Sequence, residues 1–469
     1  MDFTPTPEQT AARELAAEIF GDLSTPERLA DRGADTDTAL WKELCTAGLP
    51  GAVAETGLLG LVLMLEEQGR TTAQVPFAAS CVYGLLAIGA HGDADQRARL
   101  LPALGDGTAV ATGAFPARPG GVRAWPDAPR RQDAPRRPEG SRRPEGSRRP
   151  EGPRTAEAPP TANGPRKTDG PRKTDGPRKT DGPRNTDGPR NTDRRARLTG
   201  CVPVVPWLRE ATHVLVPDGV TQTLWLLRTD APGVRRDPVE TTAPWSAGRL
   251  TLDDAPAEQL GPDASAARRP ATHPYADVLA TARTAFAGLQ AGVCAGALAR
   301  AVSHTLTREQ FGRPLSTHQG VQLRAADAHM DTEAIRLTAY EAAWRRDAGL
   351  DAGEQALTAA WWAAEAGTRV VHTGQHLHGG VGADLGHPVH RHFLWGRQLA
   401  AYLGSGAEVL EELGQLLTTR DPRAAQAQAA QATQPAQATQ AARNPTDPTG
   451  PTAPTAPSDP PTRHEEAAS

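Results

Sequence analysis

The chain has 469 residues with 51 Lys/Arg against 55 Asp/Glu, a formal net charge of −4, and its length admits two or three domains. Two stretches, residues 117–197 and roughly 421–469, are rich in Pro, Gly, Ala, Thr, Gln and Arg and nearly free of large apolar side chains, so they cannot bury enough surface to offset chain entropy. Residues 117–197 carry 22 Lys/Arg against 11 Asp/Glu. That excess suits nucleic acid or an acidic partner, but acids and prolines interleave with the arginines and Trp125 is the one aromatic, which marks a solvated spacer and no nucleic-acid site.

Residues 1–112 are expected to form an N-terminal helical domain. Thr6-Pro7-Glu8-Gln9 has the pattern of a capping box with proline at the first helical position. Leu15 and Ile19 follow one turn apart. Trp41, Leu44 and Cys45 repeat that spacing in a second helix closed by Gly48. Leu58–Leu65 opens a third helix ending at Gly69, Ala78–Ala90 reads as a buried apolar helix, and Gln96–Leu104 as an amphipathic one. Residues 113–197 are expected to be a disordered insert: RRPEGS recurs from Arg136 to Pro150 and GPRKTD or GPRNTD from Gly164 to Asp193, six-residue periods with no apolar position to stack.

Residues 198–265 change period. His213–Val216, Thr223–Leu227 and Arg249–Leu252 are β-rich runs bounded by turn residues, which predicts a small middle β-sheet domain. From 273 to 418 the helical period returns in Val278–His304, His318–Trp344, Ala352–Leu377 and Arg391–Leu417, a C-terminal four-helix bundle whose first helix is rich in Ala and Gly, small enough for close helix approach. Residues 421–469 read as a disordered tail. The predicted class is α+β: helices, a small sheet, then a bundle, with a long insert and a tail. The four cysteines (Cys45, Cys81, Cys201, Cys294) make no CxxC pair, and the chain shows neither a signal pattern nor an apolar run expected to cross a bilayer. The expectation is a cytoplasmic protein with reduced thiols, no membrane contact and no metal site.

Three segments of the bundle carry a specific pattern. Arg308-Glu309-Gln310-Phe311-Gly312-Arg313-Pro314 precedes His318-Gln319; Gln375-His376-Leu377-His378-Gly379-Gly380-Val381-Gly382 comes next; then Pro388 and His390-Arg391. In this order they resemble the C-terminal domain of acyl-CoA dehydrogenases, and the helical–sheet–helical order agrees. The resemblance implies FAD as cofactor and α,β-dehydrogenation of an acyl-CoA thioester, with an electron-transfer flavoprotein or similar acceptor. It also implies cofactor-binding roles for Arg308, Gln310, Phe311, His318, Gln319, Gln375, His376, Gly379 and Gly380. Arg308 supplies a planar cationic fork for the pyrophosphate, Phe311 packs at the adenine end, and Gly379-Gly380 lets backbone approach the dinucleotide. In the family these groups reach across a subunit interface to a neighbour's flavin.

The resemblance also places the catalytic base, a carboxylate, at one of two positions. Here they hold Leu403, in Tyr402-Leu403-Gly404-Ser405, and Ala282, before Arg283. Neither takes a proton, so no catalytic residue is expected in this chain; Asp277 and Glu408 stand five residues away and are expected to face elsewhere. A Trp-Ile-Thr-like strand that contacts the flavin ring is matched by Val204-Val205-Pro206, where valine offers no aromatic face and proline no donor. The adenine side is kept while the ring side and base are lost. That asymmetry, and the similarity of the segment around His390–Trp395 to actinobacterial heteromeric enzymes acting on steroid side-chain CoA thioesters, imply a base-bearing partner subunit and an α₂β₂ assembly on a bulky acyl-CoA. Two alternatives stay open: a self-sufficient homo-oligomeric dehydrogenase with a base elsewhere, and a non-catalytic paralogue acting as scaffold or regulator.

Overall fold

The structure, a computed structural model, describes residues 3–126, 194–261 and 273–419. The central part of the insert and the tail from 421 onward lie outside these residues.

The N-terminal helices are α1 (Pro7–Leu23), α2 (Pro26–Arg32), α3 (Thr38–Thr46), α4 (Leu49–Thr71), α5 (Phe77–Ala79), α6 (Ala87–His91) and α7 (Ala94–Gly105), with a π-helical segment at Ser80–Leu86 joining α5 to α6. The capping box at Thr6 and Gln9 forms as expected, with both reciprocal bonds present. α4 breaks at Gly57 (φ 70°), and the Asp347 carboxylate accepts from the amides of Leu58 and Leu59 at 2.8 Å each. The helical run that starts at Leu58 is thus restarted by a side chain from the bundle, a cap 289 residues away in sequence.

The sheet is larger than the three expected strands. β1 (Ala111–Gly113), β2 (Arg123–Pro126), β3 (Arg195–Val205), β4 (His213–Pro217), β5 (Leu224–Arg228), β6 (Val234–Pro238) and β7 (Gly248–Gln259) form one seven-stranded sheet in the order β1-β4-β5-β7-β3-β2, with β6 also on β7. β1 runs parallel to β4 and the other pairs are antiparallel. This corrects the boundary of the insert: residues up to 126 and from 195 belong to the sheet, because β2 pairs with β3 from Arg123 opposite Thr199 to Pro126 opposite Ala196. Trp125 therefore sits in a strand. Four residues of Arg, Ala, Trp and Pro carry no alternation that separates them from the repeat beside them.

The bundle comprises α8 (Pro274–Thr307), α9 (Gln319–Asp347), α10 (Gly353–His378), α11 (Val389–Tyr402) and α12 (Gly406–Thr419), with a short hairpin of β8 (Glu309–Gln310) and β9 (Arg313–Pro314) between α8 and α9. The single last helix expected over Arg391–Leu417 is two helices. The chain turns at Leu403-Gly404-Ser405, where Gly404 adopts φ 120°.

α4 and α8 cross closely. A Cβ on Gly292 would lie 2.0 Å from the Glu66 carbonyl oxygen, and one on Gly69 would lie 2.2 Å from that of Leu289. These two helices are also long and apolar enough to cross a membrane by length and composition, contrary to expectation, but 72% of each apolar window is buried inside the fold. Their apolarity belongs to the core, where each is covered by helices on several sides. All four cysteines are unpaired; Cys81 and Cys294 are buried and Cys201 is exposed.

Candidate functional site

Two separate places hold the residues singled out in the sequence. The first is the corner where α8 and α10 end. The hairpin carries Gln310 and Phe311, and His318, just before α9, packs on it: the Phe311 ring meets His318 edge-on at 6.0 Å, Arg313 donates to His318 Nδ1 at 3.2 Å, and His318 Nε2 lies 3.4 Å from the Gln310 carbonyl. Phe311 is 90% exposed and held at φ 54°, a conformation uncommon for a bulky residue. The ring is thus presented to solvent. Arg308, the residue after α8, is exposed and makes no ion pair among the described residues. Gln319 opens α9, also exposed.

The second motif comes to this corner through histidines. His304 on α8 stacks on His378 at the end of α10, ring centroids 4.7 Å apart and 23° between planes, and His387 meets His378 at 4.8 Å. Arg308 stands one turn beyond His304, and Gly379 follows His378, so the stack joins the arginine and diglycine segments. His304 and His387 were missed in the sequence because they lie 74 and 9 residues from His378, outside any local pattern. Burial and the neighbouring cationic groups push both imidazoles down. Gly379 (φ 65°) and Gly380 are exposed, with no atom within 4 Å of a Cβ at either. Gln375 is turned inward, donating to the Gly382 carbonyl at 3.2 Å to hold the diglycine turn. His376 lines a groove between α9 and α10 with Arg324, Asp331, Arg369 and His372, a different wall from His378.

The second place is a cleft of about 660 Å³ between sheet and bundle, lined by Phe115, Arg118, Cys201, Val204, Glu240 and Tyr402 among others. Val204 is 39% exposed here; Val205 is buried, and the Pro206 carbonyl accepts from the Thr112 hydroxyl at 2.5 Å. The next residue, Trp207, is turned into the core beside Trp245.

The two positions that the resemblance matches to a base, Ala282 and Leu403, lie in one buried core and do not line the cleft. Arg283, next to Ala282, donates from Nε and Nη2 to the Leu403 carbonyl at 3.4 Å and pairs with Glu412 at 2.9 and 2.7 Å. Leu403 is 6% exposed and Ala282 fully buried. The nearby acids are engaged elsewhere. Asp277 pairs with His91 at 2.7 Å and Arg346 at 2.8 Å, and those contacts, overcoming desolvation, hold its carboxyl below the usual range. Glu408 accepts from the Ser405 amide at 2.7 Å and hydroxyl at 3.0 Å, capping α12, which lowers its pKa. Glu240, on the exposed rim, is the carboxylate that lines the cleft among the described residues, and sequence reasoning did not single it out.

Comparison with known proteins bears on both places. Residues 275–415 match the family "Acyl-CoA dehydrogenase, C-terminal domain" and residues 6–108 the family "Acyl-CoA dehydrogenase, N-terminal domain". The chain is similar to the acyl-CoA dehydrogenase FadE27 of Mycobacterium tuberculosis, 38% identical over 235 residues, which is 47% of this chain and 60% of that protein. It is also similar to FadE28 of the same organism, 35% identical over 123 residues, 26% of this chain and 36% of that one. The sequence matches thus span less than two thirds of these relatives. Among solved structures, a variant of the Tcur3481-Tcur3483 steroid ACAD superposes with a TM-score of 0.69 at 35% identity, covering 88% of this chain and 98% of that one. The ChsE4-ChsE5 complex from Mycobacterium tuberculosis does so with a TM-score of 0.69 at 26% identity, covering 90% and 100%.

Proposed function

The chain belongs to the acyl-CoA dehydrogenase family, whose members are FAD-binding flavoproteins, and from that we propose that it is the base-less subunit of a heteromeric acyl-CoA dehydrogenase. The observation that carries this reading is the meeting of Arg283 with Leu403. It ties the residue beside Ala282 to the Leu403 backbone within one core, and neither position carries a carboxylate to take a proton.

The exposed corner supports the other half of the reading. Arg308 offers a fork for a pyrophosphate, Phe311 an aromatic face for an adenine, and Gly379-Gly380 open backbone beside them. Gln310, His318 and Gln319 add polar contacts, and Gln375 holds the turn; His376 is the residue whose placement supports a contact least. None of these residues lines the chain's own cleft, which is consistent with a clamp for a neighbour's flavin. When bound, FAD supplies the hydride acceptor; the residues of this chain hold its adenine and pyrophosphate end. The base-bearing partner supplies the carboxylate and the ring contacts, in an α₂β₂ assembly that passes electrons to an electron-transfer flavoprotein or similar acceptor. The named steroid ACAD favours a bulky acyl-CoA, and the ChsE4-ChsE5 complex favours an assembly of two different chains.

One observation favours a second reading, a self-sufficient dehydrogenase: Glu240 lines the cleft. It lies on the rim, on the sheet side, and no wall shields it from water. Flavin stoichiometry separates the two. The full-length chain expressed alone should hold little FAD, and the complex with its partner about one per heterodimer, as one shared site per two-fold-related pair requires. A saturated flavin spectrum from the lone chain would overturn the heteromeric reading.

A further inference from the structure

The cleft stops short of the base positions, and the reason is a set of aromatic rings. Two of them, Phe115 and Tyr402, line the cleft. Tyr402 meets Phe286 edge-on at 4.9 Å, and Phe286 lies one turn beyond Ala282 on α8. The Tyr402 hydroxyl is bonded to the Tyr83 hydroxyl at 2.9 Å. Tyr83 stacks on Phe115 at 5.1 Å, and Phe115 stacks on Tyr275 at 5.6 Å with 9° between planes. The Tyr275 hydroxyl accepts from the Ala117 amide at 3.1 Å. The rings thus form a continuous set, tied by the Tyr83–Tyr402 hydroxyl bond and by the backbone at Ala117.

Resting on the heteromeric reading, we propose that this aromatic set is a specificity device: it closes this chain's half of the enzyme to the acyl group, so that the acyl-CoA is bound and oxidised at the partner's site alone. Three observations carry it. Leu403 and Ala282 lie in the same buried core as Tyr83, Phe115, Tyr275 and Phe286, with Tyr402 packed against it, so the place where a base would act is filled with protein. Tyr83, fully buried, and Tyr402, partly buried against that core, bond to each other through their hydroxyls; a buried hydroxyl without a partner is costly, so the bond holds both rings in place. Tyr83 also cannot swing aside. A Cβ at Gly113 would lie 2.5 Å from its ring, so the ring lies flat on the β1 backbone, with Phe115 on its other side. At interior packing density no methylene chain enters such a stack without expelling a ring.

The test uses the full-length chain alone with octanoyl-CoA and free CoA as probes, measured by titration calorimetry. A thin straight acyl group is the most permissive choice for a narrow space. The wild-type chain should show no preference for octanoyl-CoA over CoA. Phe115→Ala, at the floor of the cleft, should bind octanoyl-CoA about tenfold or more tightly than wild type, since a few newly buried methylenes suffice for that. Tyr83→Ala should do the same; if loss of this fully buried ring prevents folding, Phe115→Ala carries the test. A wild-type chain that prefers octanoyl-CoA by tenfold overturns the proposal, as does a folded Phe115→Ala protein that gains nothing. Neither result depends on whether the complex turns over by the partner's base, so the failure of this proposal and that of the heteromeric reading are told apart.

Discussion

Arg283 and Leu403 are 120 residues apart in sequence, and the guanidinium of the first donates to the carbonyl of the second at 3.4 Å. The contact locks the turn between α11 and α12 onto α8. It also sets a buried cation, balanced by Glu412, beside the two positions that the family resemblance matches to a base. The locus has become part of the packing between helices.

A carboxylate introduced there should therefore fail to act. Leu403→Glu would stand beside Arg283, in competition with Glu412 and behind the aromatic wall. General-base catalysis contributes about 10²–10⁴-fold only when proton, base and acceptor are already aligned. The lone Leu403→Glu chain should show no acyl-CoA dehydrogenation with an artificial electron acceptor; turnover above the wild-type background would show that the site is open and properly formed.

The pH dependence of stability should carry the mark of His392. Its ring is buried, with Nε2 3.0 Å from the Arg70 carbonyl and Nδ1 3.3 Å from that of Pro388, and burial pushes its imidazole down to about 4. An unfolded histidine titrates near 6.5, so between about 6.5 and 4 the unfolded chain binds the extra proton and gains. Stability should be full above about 6.5 and fall by about 3 kcal/mol as pH drops to about 4. Urea unfolding from pH 7 to 4.5 checks this, and His392→Gln should flatten the slope.

Arg308 should matter to cofactor retention and little to folding. It makes no ion pair among the described residues and stands exposed past the end of α8. In the complex, Arg308→Ala should weaken flavin retention by about 1.5–3 kcal/mol, the range for hydrogen bonds to charged groups. Lysine should restore part of it, keeping the charge but losing the planar fork. Unchanged flavin content in Arg308→Ala would return this residue to the ordinary surface.

Much of this was legible in the sequence because it is local. The capping box at Thr6 and Gln9, the long helix over Val278–His304 and the small residues at the α4–α8 crossing each follow from neighbours or a periodic face. The motif around Arg308 was legible for the same reason. What escaped notice depends on distant partners. β2 is a strand because Thr199 to Ala196 lie opposite it. Leu403 ends a helix because Gly404 takes φ 120° and Arg283 holds its carbonyl. The histidine stack and the Tyr83–Tyr402 pair join residues 74 and 319 positions apart. No spacing in one sequence encodes such pairs.

The central claim is that the proton is taken by the partner and never by this chain. It is tested most directly by steady-state dehydrogenation of an acyl-CoA by the assembled complex, with the partner's base replaced by a neutral residue and, separately, with Glu240→Gln in this chain. Loss of turnover in the first complex with assembly intact, and unchanged turnover in the second, is the expected result. Turnover that survives loss of the partner's base and disappears with Glu240→Gln would contradict the account and place the base on the rim of this chain's own cleft.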